Sequence, residues 1–195
     1  MRLKSKWIIL FGILAIVCGF SLLIFTHISV NNFKKQSAQI LLQIEEIMPE
    51  KTMGAVDDYS SIQMPAIEIS GEDIIGVIEF EPFNLSLPIG SKWEKSKNIS
   101  YPKKFSGSVY DNSLVIGGYY CEGQFDILKR LNIGNRIIVT DMTGAQFNYE
   151  VKDIKRKKSA EIDFLTDETA DLTLFVRDSK SLEYIIVKSV NAGNS

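Results

Sequence analysis

Two β-forming segments near the C-terminus constrain the fold of this chain more than any other feature. Residues 171–177 alternate in side-chain character, and residues 183–188 form a β-branched, largely apolar run. In the first segment Leu172, Leu174 and Val176 point to one side, and Thr173, Phe175 and Arg177 to the other. Only residues 178–182 separate the segments, which favours an antiparallel hairpin over a crossover. The hairpin would bring Arg177 and Glu183 to the same end of two neighbouring strands.

The N-terminus predicts a membrane anchor. Residues 7–26 contain no charged side chain, and as a helix they would reach ~30 Å, about the thickness of the hydrocarbon core. A signal-peptide core is usually only ~7–15 residues long and ends at a small-x-small cleavage site, which is missing here. Val17 before Cys18 is too large for lipoprotein cleavage. We therefore predict an uncleaved transmembrane helix.

Charge predicts the orientation of this anchor. Arg2, Lys4 and Lys6 precede the span, so residues 1–6 should be a cytoplasmic tail, and the chain after the span should be extracellular. We expect a single-pass protein of the cell membrane. Without its first 30 residues the chain has 19 basic and 24 acidic side chains, a net charge of about −5. This balance argues against a nucleic-acid partner, because phosphate binding needs a basic face.

Histidine and cysteine counts exclude several kinds of site. The one histidine, His27, lies at the outer edge of the predicted span, and Cys121 is the one cysteine beyond it. The outer domain can therefore hold no internal disulfide, no Cys-His dyad, no Ser-His-Asp triad and no histidine metal site. The acids of residues 161–171 lack EF-hand spacing, which favours a solvated loop over a calcium site. We predict no metal and no cofactor.

The predicted domain organisation follows from composition. Residues 27–64 should be a stalk helix and a polar linker, residues 65–190 the main domain, and residues 191–195 a tail. The helix is indicated by a stripe that stops at Pro49 and consists of Ile40, Leu41, Ile44, Ile47 and Met48. This helix would leave the membrane or pack on the domain; dimerisation is the alternative, although three turns are too few for a coiled coil.

The main domain shows no βαβ rhythm. Strand patterns cover residues 74–80, 84–88, 113–118, 136–140 and 146–151, in addition to the two C-terminal segments. Residues 124–131 predict a short helix, and Trp93 and Tyr101 should anchor the loose stretch 90–104. The sum is a mostly β, largely antiparallel barrel with one or two short helices.

The order of these segments resembles the sortases, which are membrane-anchored cysteine transpeptidases of Gram-positive bacteria. Residues 75–89 (IGVIEFEPFNLSLPI) look like their opening strand pair, and residues 113–118 (SLVIGG) like the strand before their catalytic histidine. Residues 123–128 and 133–139 are similar to the next helix and strand, and residues 171–176 (DLTLFV) to the strand that presents the catalytic cysteine. The resemblance implies a closed β-barrel of about seven to eight strands.

The resemblance also implies which residues replace the sortase machinery. The histidine position falls on Tyr119, the cysteine on Arg177 and the arginine on Glu183. Arginine has no nucleophilic atom at working pH, and a glutamate repels the negative charge that an oxyanion site must attract. No catalytic residue is therefore expected at these positions. Arg177 and Glu183 would form an ion pair across the old site, or each would point into water.

Cys121 is the alternative nucleophile. A nearby Arg177 would lower the pKa of its thiol, with Tyr119 or Tyr120 as a proton donor. Against this, a free cysteine is usually a small buried hydrophobe. The candidate binding residues are Tyr119, Tyr120, Cys121, Arg177 and Glu183.

Three functions are consistent with these residues. The first is an inactive sortase-like protein that binds a sorting-signal peptide, a pilin or an active sortase during surface-protein or pilus assembly at the cell wall. The second is a transpeptidase or hydrolase that acts on sorting-signal peptides through Cys121. The third is a purely structural envelope protein.

Overall fold

A computed structural model describes residues 2–53, 63–93, 101–158 and 169–193, without the side chains of residues 2–6, 8–10, 22–27 and 29. It begins with a long helix, α1 (Arg2–Ile47). The strands are β1 (Thr52–Met53), β2 (Ile67–Ile69), β3 (Glu72–Phe80), β4 (Leu85–Gly90), β5 (Lys103–Ser106), β6 (Leu114–Gly118), β7 (Arg136–Asp141), β8 (Ala145–Lys157), β9 (Leu172–Arg177) and β10 (Tyr184–Asn191). Two short 3-10 helices span Glu81–Phe83 and Phe125–Arg130.

Eight of these strands close into a barrel. Their order is β8-β10-β9-β6-β5-β4-β3-β7, and the ring closes because β7 pairs with both β3 and β8. Most pairs are antiparallel, but β6 and β9 run parallel, and β4 and β5 run parallel through a single register pair. The predicted mostly β barrel with short helices is confirmed.

The C-terminal hairpin has the predicted geometry. β9 and β10 are antiparallel, with Arg177 opposite Tyr184 and Phe175 opposite Ile186. Leu172, Leu174 and Val176 point into the barrel core. Phe175 points to the outer face, where it forms a separate cluster with Val115 and Ile186. Alternation along β9 thus divides the hairpin between two apolar clusters.

The helical stripe packs on the barrel. Ile40 and Ile44 of α1 are buried in a cluster with Ile74 and Val77 of β3, and Leu41 and Met48 pack at its margin. The helix ends at Ile47, two residues before the predicted stop at Pro49. Of the two predicted arrangements, the structure has the helix on the domain.

The predicted membrane span, residues 7–26, falls within α1. Among the residues that the structure describes, we find no helix with both the length and the apolar character needed to span a bilayer.

The strand pattern of the sequence is incomplete in three places. β8 continues past Val151 through the basic run to Lys157, because β10 supplies backbone partners as far as the pair Tyr184–Lys157. The short strands β1, β2 and β5, of two, three and four residues, lie outside the predicted strand segments. The predicted helix after β6 is a 3-10 helix. The central part of the predicted linker and most of the acidic loop, residues 54–62 and 159–168, lie outside the described residues.

A matched pair of substitutions tests the packing of α1. Ile40 is 1% exposed and Leu42, on the opposite side of the helix, is 66% exposed. Ile40→Ala should lower the free energy of unfolding by about 2–5 kcal/mol, because it leaves a cavity against β3. Leu42→Ala should change it by less than about 0.5 kcal/mol. Urea unfolding of the full chain in detergent measures both; equal effects would contradict the packing.

Candidate functional site

Three strand ends meet at one edge of the barrel. The parallel register of β6 and β9 ends with Gly118 opposite Val176, so Tyr119 and Arg177 are the next residues on these two strands. Arg177 is in turn opposite Tyr184, the first residue of β10. Tyr119, Arg177 and Tyr184 therefore lie in one row across three neighbouring strands. We call this row the strand-end site.

Arg177 is the charged member of the strand-end site. It is exposed, and its guanidinium carbon lies 5.9 Å from the centroid of the Tyr184 ring. This distance is within the range of a cation–π contact, about 6 Å. Tyr119 is 39% exposed. One permanent positive charge and two aromatic side chains, the exposed Tyr119 and the partly exposed Tyr184, thus lie at the position where the resemblance places a histidine and a cysteine.

The ion pair between Arg177 and Glu183 does not form; among the residues that the structure describes, the salt bridges do not include it. The hairpin register explains why. The N–H of Asp178 donates to the carbonyl oxygen of Glu183 at 2.8 Å, so Glu183 continues the ladder opposite Asp178. Successive residues of a strand point to opposite faces, and Glu183 is therefore turned away from Arg177. The ion-pair hypothesis is wrong.

The other acid beside Arg177 belongs to the turn. The carboxylate of Asp178 accepts the N–H of Lys180 at 2.8 Å, and hydrogen bonds of this kind, with Ser181 and the charge of Lys129 adding to them, lower the pKa of Asp178. Leu182 in the same turn has a positive φ of 59°, and its N–H donates to the Asp178 carbonyl. Asp178 thus organises the hairpin connection and leaves the guanidinium of Arg177 to solvent.

An aromatic cluster covers the outer face beside this row. The ring of Trp93 lies 5.4 Å from that of Phe175 and 6.5 Å from that of Phe105, and Phe105 meets Phe175 edge-on at 5.5 Å. Tyr184 packs against the same cluster. We call Trp93, Phe105 and Phe175 the aromatic floor.

Gly117 makes room for the aromatic floor. A Cβ atom at this position would lie 2.5 Å from the Trp93 ring and 2.6 Å from the Phe175 ring. Any side chain on Gly117 would therefore displace one of the two rings. A Cβ atom on the next residue, Gly118, would lie 2.4 Å from the ring of Phe125 on the inner side. The glycine pair at the end of β6 serves aromatic packing on both faces.

Tyr120 differs from Tyr119 in its environment. It packs against the barrel core, and its hydroxyl oxygen accepts a hydrogen bond from Lys129 Nζ at 2.6 Å. That hydrogen bond raises the pKa of Lys129. Tyr120 therefore supports the 3-10 helix Phe125–Arg130 and is not part of the strand-end site.

Cys121 faces α1. Burial, and next the charge of Asp126, raise the pKa of its thiol to about 11, and Lys34 of α1 opposes this shift while Glu122 adds to it. Lys34 and Glu122 form an ion pair at 2.8 Å. The charges that act on the thiol thus come from α1 and the loop after β6, and the thiol is protonated at neutral pH. An Arg177-activated thiolate receives no support from this environment.

A polar cleft of about 460 Å³ lies elsewhere, at the turn between β2 and β3. Its lining includes Glu68, Asp73, Lys92 and the ion pair of Lys103 with Glu72 at 3.0 Å. None of the predicted site residues lines it. Within the described ranges, no group of three histidine, cysteine or acidic side chains is placed to hold a metal ion.

Comparison with known proteins identifies the fold. No protein-family profile and no curated protein sequence matches the chain. Among solved structures, sortase C1 from Streptococcus agalactiae is similar with a TM-score of 0.55 and 20% identity over 67% of this chain and 72% of that one. Sortase A from Corynebacterium diphtheriae is similar with a TM-score of 0.55 and 14% identity over 86% and 84% of the two chains. Sortase C from Clostridium perfringens SM101 has a TM-score of 0.51 and 19% identity over 85% and 90%.

These similarities place the chain in a class of closed eight-stranded β-barrels with a parallel strand pair. The chain has the sortase fold, and the resemblance predicted from the order of its segments is confirmed at that level.

The structure brings together only part of the predicted site. Tyr119 and Arg177 are neighbours, whereas Tyr120, Cys121 and Glu183 are turned to other environments. Tyr184 and Phe105 were not predicted as parts of the site. The alternation of Thr173, Phe175 and Arg177 was the signal that pointed to an outer face with its own apolar cluster.

The reactivity of Cys121 provides a test of its environment. In a Cys18→Ser background, the rate of reaction with a thiol reagent should rise about tenfold per pH unit up to a pH of about 11. At pH 7 it should be about 10² times slower than the rate of free glutathione, because the thiolate fraction is smaller. Lys34→Gln should slow the reaction further, since Lys34 lowers the pKa of the thiol.

Arg177→Gln serves as the matched control and should leave the rate unchanged. A rate that levels off near pH 8, or one that falls in Arg177→Gln, would contradict this assignment.

Proposed function

We propose that this protein is a membrane-anchored, extracellular, sortase-fold protein that binds peptides and does not cleave them. It would hold a sorting-signal peptide, or assist an active sortase or a pilin, during surface-protein or pilus assembly at the Gram-positive cell wall. The observation that supports this most directly is Arg177 at the end of β9, where the resemblance places the nucleophile.

The chemistry of the strand-end site favours binding over catalysis. Acyl transfer needs a nucleophile, a proton carrier and donors for the oxyanion. Arg177 supplies a donor but no nucleophile, and the phenol of Tyr119 does not replace a histidine imidazole as a proton carrier. Glu183, at the position that the resemblance assigns to an arginine, carries a negative charge and cannot donate to an oxyanion. The thiol of Cys121 is protonated at neutral pH and is directed to α1.

The surroundings of the row favour a peptide as the ligand. The partly exposed rings of Trp93 and Phe105, which cover Phe175, offer apolar surface to a side chain, and the exposed Arg177 offers hydrogen-bond donors beside them. Clefts that bind extended peptides commonly combine an apolar pocket with a few directed polar groups.

The apolar surface of α1 favours a membrane anchor, with the barrel outside the membrane. Large apolar side chains are exposed along residues 11–20 of α1, namely Phe11, Ile13, Leu14, Ile16, Val17 and Phe20. A helix with exposed apolar side chains all round is typical of a segment that contacts lipid. Together with the basic residues before the span, this favours residues 7–26 as a single-pass anchor with the barrel outside.

Titration of the full chain in detergent with a sorting-signal peptide tests the proposal. We expect a saturable heat of binding in calorimetry and no cleavage product by mass spectrometry after prolonged incubation. Cys121→Ala should bind equally well. Product that disappears in Cys121→Ala would support the enzymatic alternative instead.

A second measurement addresses the partners. Cross-linking in cells, followed by purification of the tagged full chain, should recover an active sortase or a pilin. Absence of both partners, together with no peptide binding in the titration, would contradict the proposal and favour a purely structural role.

A further inference from the structure

We infer that Arg177 recognises a carboxylate group, and that the ligand is a peptide in which this carboxylate lies close to a large apolar side chain. The inference rests on the proposed peptide-binding function and specifies its ligand class.

The guanidinium of Arg177 is available for such a ligand. Of the two neighbouring acids, Asp178 accepts the N–H of Lys180 in its turn, and Glu183 lies one position beyond the Arg177–Tyr184 pair, opposite Asp178. Within the described residues, no carboxylate forms a salt bridge with Arg177. Arginine keeps its charge at any physiological pH and can bind both oxygens of a carboxylate at once.

The cation–π contact of Arg177 with Tyr184 limits the conformations of the arginine side chain before a ligand binds. The 5.9 Å separation between guanidinium and ring restricts the side chain to the outer face. A restricted side chain loses less conformational freedom when a ligand binds.

Strand β8, which pairs with β10, adds positive charge on the same face as Arg177. Lys157 is opposite Tyr184 and Lys155 is opposite Ile186, so both side chains belong to the outer face of the sheet. Lys155 is paired with Asp153 at 2.8 Å, both half-exposed. Arg177, Lys155 and Lys157 together outnumber Asp153 on this part of the outer face, and the excess of positive charge complements an anionic peptide.

The spacing along β9 sets the distance between the two ligand groups. Phe175 is two residues before Arg177 on the same face, about 6.6 Å along the strand. At 5% exposure it lies beneath the rings of Trp93 and Phe105. The apolar side chain of the ligand would therefore contact the partly exposed rings of Trp93 and Phe105 above Phe175. An extended peptide has the same repeat, so its apolar side chain and its carboxylate should be about two residues apart. A C-terminal carboxylate and an acidic side chain both satisfy this requirement.

Three short peptides tested on the full chain in detergent distinguish these sources. The first is acetyl-Leu-Ala-Phe-Ala with a free C-terminal carboxylate, the second is its C-terminal amide, and the third is acetyl-Leu-Ala-Phe-Ala-Asp as an amide. We expect the free acid, the aspartate peptide or both to bind about tenfold or more tightly than the uncharged amide. A preference for the free acid alone assigns the C-terminal carboxylate, and a preference for the aspartate peptide assigns the side chain.

Arg177→Gln should abolish the discrimination against the amide, and Arg177→Lys should restore only part of it, because lysine lacks the bidentate geometry. Arg156→Gln is the matched control: Arg156 is exposed and pairs with Ile185, so it points to the other face of β8. It removes the same charge and should preserve the discrimination. Circular dichroism checks that each variant folds.

The outcomes separate this inference from the proposed function. If the peptides bind but Arg177→Gln discriminates as the wild type does, the carboxylate assignment is wrong while peptide binding stands. Equal binding of all three peptides by the wild type would also show that the carboxylate assignment is wrong while peptide binding stands. If neither these peptides nor a sorting-signal peptide binds, this inference fails, and the proposed function fails with it when cross-linking also recovers neither an active sortase nor a pilin.

Discussion

The parallel pairing of β6 with β9 is the constraint on which the site depends. Most other neighbours in the barrel are antiparallel, and an antiparallel pair brings the end of one strand next to the beginning of another. The parallel pair instead brings two strand ends together, so that Tyr119 and Arg177 leave the sheet side by side. β10 then adds Tyr184 from the other direction. The row of Tyr119, Arg177 and Tyr184 thus follows from backbone hydrogen bonds alone.

The same pairing separates two apolar environments. Inward residues of β6 and β9 fill the barrel, whereas outward residues support Trp93 and Phe105 from distant parts of the chain. Gly117 shows how closely the outer layer is fitted, since even one methyl group there meets two rings. The fold therefore builds a second, smaller apolar layer at the position where the strand ends are exposed.

Local pattern predicted the parts of the fold that depend on neighbours in sequence. The hairpin of β9 and β10, the inward face of β9 and the packing stripe of Ile40 and Ile44 all follow from periodicity. Strand β5 could not be predicted in this way, because its four residues do not alternate in character. It joins the sheet through β6 and a single register pair with β4. The extension of β8 through Lys155 and Lys157 has no apolar alternation of its own, and its pairing with β10 fixes its length.

The site itself was predictable only in part. The position of Arg177 at a strand end followed from its own strand, but its relation to Glu183 depends on register, and a shift of one residue reverses the face. The state of Cys121 depends on Lys34 and Asp126, of which the first lies far away in sequence. Electrostatic environment is a property of tertiary contacts, which no local pattern specifies.

The unbroken course of α1 has a consequence for geometry. From residue 26, where the proposed anchor ends, to Ile40, where the helix first becomes buried with β3, the rise is about 21 Å. A helix transmits orientation as well as distance, unlike a flexible tether, so the barrel would stand at a fixed height and tilt above the lipid surface. Partners that share the same bilayer would then approach it from a narrow range of directions.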